Sequence, residues 1–111
     1  MKAALVQYSP EWENKENNII KLNEMLDNSL LDEKLIILPE MTLTGFTMEA
    51  KKNAEEIDGV GMQYFIEKSR KLKKHILAGI IEKNGDKIYN SLFHFDNKGL
   101  INSRYRKVHP F

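Results

Sequence analysis

The chain has 111 residues, 41% hydrophobic and 30% charged, with a formal net charge of +1 and no cysteine. That is one domain at most, able to bury roughly 60–70% of its unfolded surface. The near-neutral charge gives no general pull toward nucleic acid or anionic lipid, and the missing thiol excludes disulfides, thiolate metal sites and a cysteine nucleophile from these residues.

No apolar run approaches the ~20 residues of a membrane span, and Met1-Lys2 leads straight into a strand-like segment. A cytoplasmic location is expected. Ala3 to Tyr8 reads as a first, largely buried strand, broken by Ser9-Pro10. Asn14 is a helix cap, and Ile19, Ile20, Leu22, Met25, Leu26 and Leu30 fall on one side of a helix from about 15 to 30. After the polar link Asp32-Glu33-Lys34, the unbroken run Leu35-Ile36-Ile37-Leu38 suits a strand buried on both faces. Pro39 removes a ladder donor and ends it. Strand, helix and strand together make a right-handed βαβ unit.

Met48 to Asp58 is lysine- and glutamate-rich, as a short surface helix would be. Gly59-Val60-Gly61 then leads into an amphipathic helix at about 60–74, with Met62, Phe65, Ile66, Ser69 and Leu72 inward. This Gly-x-Gly lacks the third glycine and the preceding strand of a dinucleotide fingerprint. Ile76 to Ile81 is another apolar strand, and Asn84-Gly85-Asp86 is a hairpin turn. Lys87 to Phe95 returns, Asp96 to Gly99 turns again, and Leu100 to about Tyr105 is the last strand. The pattern predicts an α/β fold: a mixed β-sheet with helices on one face. Strands apolar on both sides, with helices to cover only one, predict an exposed apolar sheet face, so that the isolated chain self-associates, aggregates or needs a further segment to cover it. Tyr105 to Phe111 is aromatic, basic and compact with no polar tail, so the chain reads as one that stops inside a domain.

Two residues carry candidate chemistry. Glu40 follows the strand stopped by Pro39, at the rim where open α/β sheets place their sites. Lys107 follows the last strand. Neighbouring strand ends can bring the two together. A carboxylate in a dry surrounding takes up protons near neutral pH and so acts as a general base. An ammonium can hold an oxyanion that develops in the transition state. On position alone the simpler readings are a solvated acid in a turn and a solvated cation in the run Arg104, Arg106, Lys107. His75, His94 and His109 with Glu40 match no short-range metal motif, so no metal is expected. Trp12 reads as a surface loop anchor. Tyr105 and Phe111 beside three basic residues are too little for a nucleic-acid site.

Leu38-Pro39-Glu40-Met41 with Thr44-Gly45-Phe46, together with Tyr105-Arg106-Lys107-Val108-His109-Pro110-Phe111, resembles the first two signature blocks of the nitrilase superfamily of carbon–nitrogen hydrolases. Ala3 to Tyr8 and Ile88-Tyr89-Asn90-Ser91 are similar to the family at corresponding places. The resemblance spans essentially all of residues 1–111 and implies the N-terminal portion of the domain, half of an αββα sandwich. It implies a cysteine–glutamate–lysine set acting on the carbon of an amide or nitrile, with an omega-amide among the candidates. Glu40 matches the general base, Lys107 the oxyanion-holding lysine, and Phe46 a wall of the substrate pocket. No cofactor is implied. The block bearing the cysteine lies further downstream in the family, so this chain is expected to be inactive alone. Its expected partners are a small amide or nitrile substrate and either the missing C-terminal half or a second copy. The alternative is a non-catalytic scaffold or partner-binding protein. A metal-dependent phosphodiesterase of the endonuclease/phosphatase type shares the sandwich but needs acid and Asn/His motifs that these residues lack.

Overall fold

A computed structural model describes residues 2–29, 32–45 and 50–107. Its elements are β1 (Ala3–Leu5), α1 (Lys15–Ser29), β2 (Leu35–Ile37), α2 (Ala50–Asn53), α3 (Val60–Leu72), β3 (His75–Asn84), β4 (Lys87–Phe95) and β5 (Ile101–Arg106). The five strands lie side by side in chain order. The first three run parallel, and β3, β4 and β5 form an antiparallel meander. The mixed α/β sheet is the one expected from the apolar runs and turn signals.

Local chemistry explains the boundaries. Asn14 caps α1, its Oδ1 accepting from the Asn17 amide at 3.1 Å. Gly85 and Gly99 take positive φ in the two turns, a conformation that costs glycine no Cβ clash. Asp96 closes the second turn by accepting from the Lys98 and Leu100 amides. One face of the sheet holds the core: Leu22 and Leu26 of α1 and Met62 and Phe65 of α3 pack on Ile36, Ile76, Ala78, Ile80, Phe93 and Phe95. The Phe65 and Phe95 rings lie 5.6 Å apart.

Several expectations change. β2 is buried on one face only: Ile36 is inaccessible, whereas Leu35 and Ile37 are half-exposed. The reason is that both long helices lie on the Ile36 side. Ile20, expected inward, is 58% exposed, because the buried stripe of α1 runs through Asn18, Leu22 and Leu26 and position 20 lies nearly opposite it on the helix. β1 stops at Leu5, although Val6 still donates to the Ile37 carbonyl. Among the described residues of the lysine-rich segment, Ala50–Asn53 is helical and the helix ends there. Glu55 then pairs in parallel with Glu82 at the upper flank of β3. Leu30, Phe46 and Val108 to Phe111 lie outside the described residues. No helix among the described residues is long and apolar enough to cross a membrane.

Candidate active site

Glu40 is set by a turn that strides across β3. Leu38 donates to the Leu77 carbonyl at 2.8 Å, and the Thr42 amide donates to the Gly79 carbonyl at 3.0 Å. Between these anchors the backbone of residues 39–41 passes directly over Gly79. A Cβ at Gly79 would lie 2.5 Å from Glu40 Cα, 2.8 Å from the Met41 nitrogen and 2.9 Å from the Pro39 oxygen. The missing side chain is therefore what lets the acid-bearing turn lie flat on the sheet.

Further contacts hold the turn. Met41 has φ 47°, uncommon for a side chain of its size, and it is kept there by burial against Ile81, Ala54 and Ile88. Thr42 is inaccessible, its hydroxyl donating to the Pro39 carbonyl and its own carbonyl accepting from the Tyr8 hydroxyl. Burial pushes the Tyr8 hydroxyl up to about 12. Asn18, wholly buried in α1, donates to the Leu43 and Glu11 carbonyls at 2.7 Å and accepts from the Glu11 amide at 2.6 Å. The Gly45 amide closes the turn onto the Met41 carbonyl at 2.9 Å.

Lys107 comes from the opposite direction. Its amide donates to the Asn90 carbonyl at 3.0 Å, one step beyond the end of β5. Its Nζ donates to Glu40 Oε1 at 3.2 Å across 67 residues of sequence. The two side chains are 50% and 62% exposed, so the dry surrounding that a general base needs is not supplied by these residues. Such a pair is worth about 0–1 kcal/mol to folding. Its interest is chemical: a proton acceptor and a fixed cation meet at one point of an open surface. Phe46, the third candidate, lies outside the described residues.

The pair sits on the face that α1 and α3 leave open. Register places Leu5, Ile37, Leu77, His94 and Ser103 in one row of that face, and Gly79, Leu92 and Tyr105 in the next. Leu5, Leu92 and Tyr105 are exposed. At the far end His75 Nδ1 and His94 Nε2 are hydrogen-bonded at 2.8 Å. Among the described residues no group of three or more His, Cys, Asp or Glu is placed to hold a metal ion.

Sequence reasoning singled out Glu40 and Lys107 but not Gly79, Asn18 or Tyr8. A glycine inside an apolar strand is a recognised sign of close backbone approach; nothing local marked Asn18 as buried.

A family model for carbon–nitrogen hydrolases matches residues 2–111. The chain belongs to this family. It is 31% identical, over its whole length, to a nitrilase of Pyrococcus abyssi, of which it covers 44%. Against the 2-oxoglutaramate amidase of Bacillus subtilis it is 28% identical over 96% of its length, covering 42% of that enzyme. Among solved structures it is similar to XC1258 of Xanthomonas campestris, a CN-hydrolase superfamily protein crystallised with an arsenic adduct in its active site. The TM-score is 0.89 at 27% identity, over 98% of this chain and 41% of that one. This carbon–nitrogen hydrolase chain thus spans less than half the length of the relatives it matches.

Proposed function

We propose that Glu40 and Lys107 are the base-and-cation part of a site that hydrolyses a non-peptide carbon–nitrogen bond, in an amide or nitrile. The thiol nucleophile is brought to the open sheet face by residues outside this chain. The observation that carries the reading is the 3.2 Å contact between an acid and an amine from two separate strand ends, over the face that α1 and α3 leave open. Family membership supplies the reaction class.

With an amide as substrate, Glu40 takes the proton of the incoming thiol, and the sulfur attacks the substrate carbon. Lys107 holds the oxygen that becomes negative as the carbonyl turns tetrahedral. The nitrogen leaves as ammonia or an amine, carrying the proton away. Water then gives a proton to Glu40 and attacks the thioester carbon; the C–S bond breaks, the carboxylic acid leaves, and the sulfur takes the proton back from Glu40. Covering the face dries the ion pair and strengthens its grip on the developing charge. Phe46, immediately after the pinned turn, walls the substrate pocket. The similarity to a 2-oxoglutaramate amidase favours a small linear amide, an omega-amide in particular. The cover is a second sheet from a C-terminal half, and the assembled enzyme acts in the cytoplasm without a cofactor; a second copy of this chain, which has no cysteine, covers the face only in the non-catalytic reading.

The test is to supply the cover. The chain is expressed with the segment encoded after Phe111 or, where a stop codon follows, fused to the unmatched C-terminal portion of the Pyrococcus abyssi nitrilase. Ammonia release is then measured on a panel of amides and nitriles. We expect amide hydrolysis that Glu40→Gln and Lys107→Ala each lower by about 10²–10³-fold. A folded assembly that hydrolyses nothing favours the non-catalytic scaffold, and one indifferent to both substitutions removes the proposed roles.

A further inference from the structure

The edge strand that delivers Lys107 has little apolar hold on the molecule. Among the described residues β5 pairs with β4 alone, and its side chains from Asn102 to Tyr105 are all exposed. Ile101, at the far end, is its contact with the core. At the Lys107 end the hold is polar and converges on one carboxylate. Ser91 Oγ donates to Glu82 Oε1 at 2.8 Å, Arg106 Nε to Oε1 and Nη2 to Oε2 at 3.0 Å each, and Arg104 Nη1 to Oε2 at 2.9 Å. The Glu82 side chain is only 8% exposed.

These contacts span three strands on the helix-covered side: Glu82 on β3, Ser91 on β4, and Arg104 and Arg106 on β5. The paired Arg106 bonds fix the orientation of the guanidinium as well as its distance, since a planar fork meets a planar carboxylate. The same guanidinium rests on the Tyr89 ring, 4.4 Å from its centre. Glu82 is itself well founded, because the backbone on either side of it is bonded to Glu55: the Glu55 amide donates to Ile81 and the Lys83 amide to Glu55.

Successive residues of a strand point to opposite faces. Holding Arg106 down on the helix side therefore turns residue 107 toward the open side, where Glu40 lies. We propose that Glu82 is a positioning residue for Lys107: through Arg106, and Arg104 beside it, its carboxylate fixes the end of β5 so that the amine is delivered to Glu40 on the other face. The proposal rests on the reading of Lys107 as the oxyanion-holding cation. Without the carboxylate, two guanidinium groups are left side by side, and their repulsion lifts the strand end that carries the amine.

Two readouts test this. In the 111-residue chain, hydrogen exchange is measured at the Lys107 amide and at those of Leu77 and Ile81 in β3. Glu82→Gln and Arg106→Lys, which keep the size but break the fork, should each speed exchange at Lys107 by about tenfold or more while leaving β3 within about twofold. In the assembly described above, Glu82→Gln should lower kcat by about tenfold with KM little changed, and should add nothing when Lys107 is already alanine. Unchanged exchange at Lys107, uniform loss of protection, or the same loss of activity in the Lys107→Ala background overturns the proposal. Full activity of Lys107→Ala instead overturns the reaction reading on which it rests, whatever the exchange shows.

Discussion

Gly79 and Asn18 show how much of the site depends on residues that carry no reactive group. At Gly79 the three atoms nearest to an added Cβ all belong to backbone, so none of them can swing aside. Gly79→Ala should cost about 1–3 kcal/mol and push the Glu40 turn off the sheet. Urea unfolding checks this: the midpoint falls at unchanged slope, and an unaltered midpoint would show that the turn yields freely. Asn18 ties α1 to the far side of the same turn through three hydrogen bonds. Read from sequence, Ile76 to Ile81 is one apolar strand and Gly79 is passed over within it, although a glycine inside such a run signals that some backbone comes close. Which backbone was a matter of folding, because the turn that crosses it lies some forty positions away. Asn18 looked like one more polar position on a helix. Its value lies in the Leu43 carbonyl it satisfies, invisible until the turn is in place.

The elements were largely legible because each was marked locally. α1 starts where Asn14 caps it, and the β3–β4 hairpin turns at Asn84-Gly85-Asp86, signals that act over a few residues. β1 and α2 were read too long, since their ends depend on neighbours. β1 stops where its partner β2 stops, and the segment after Asn53 leaves the helix to pair beside β3. The Glu82 cluster joins β3, β4 and β5, and it has a pH signature. Burial pushes the Glu82 carboxyl up, but the bonds from Arg106 and Ser91 and the charges of Arg104 and Arg106 outweigh it, holding the group below the usual carboxylate range. A group with its folded value depressed contributes stability that is complete above its unfolded value, ~4.3 for Glu, and lost as pH falls through the folded value. Denaturation of the parent chain and Glu82→Gln should therefore differ at pH 7, and the difference should begin to shrink as pH falls through ~4.3. A difference that persists undiminished at pH 3 would mean that the carboxylate charge is not what holds the strands.

The molecule as a whole is one-sided. Its helices seal one face of the sheet and leave Leu5, Leu92 and Tyr105 exposed on the other, with Leu35, Ile37 and Leu77 half-covered between the strands. A contiguous apolar area of several hundred Å² marks an interaction surface. The chain by itself should associate, with a sedimentation coefficient that rises with concentration. Leu5→Lys with Leu92→Lys should hold it monomeric at nearly unchanged thermal stability, because neither side chain belongs to the core. A parent chain that stays monomeric at high concentration would count against the open face as an interface. The same openness explains why Glu40 and Lys107 meet half-exposed: the chemistry expected of them needs a cover.

Strand and helix order, the mixed sheet and the residue types at its rim could be read directly from the chain, since periodicity, caps and turn residues act through neighbours a few positions apart. That Glu40 and Lys107 touch could not be read that way, nor that a glycine makes room for the first and a carboxylate on the opposite face steadies the second. Those relations are set by strand register and by which face the helices occupy. They link residues from 24 to 67 positions apart, a separation over which local preferences carry no information and only packing does.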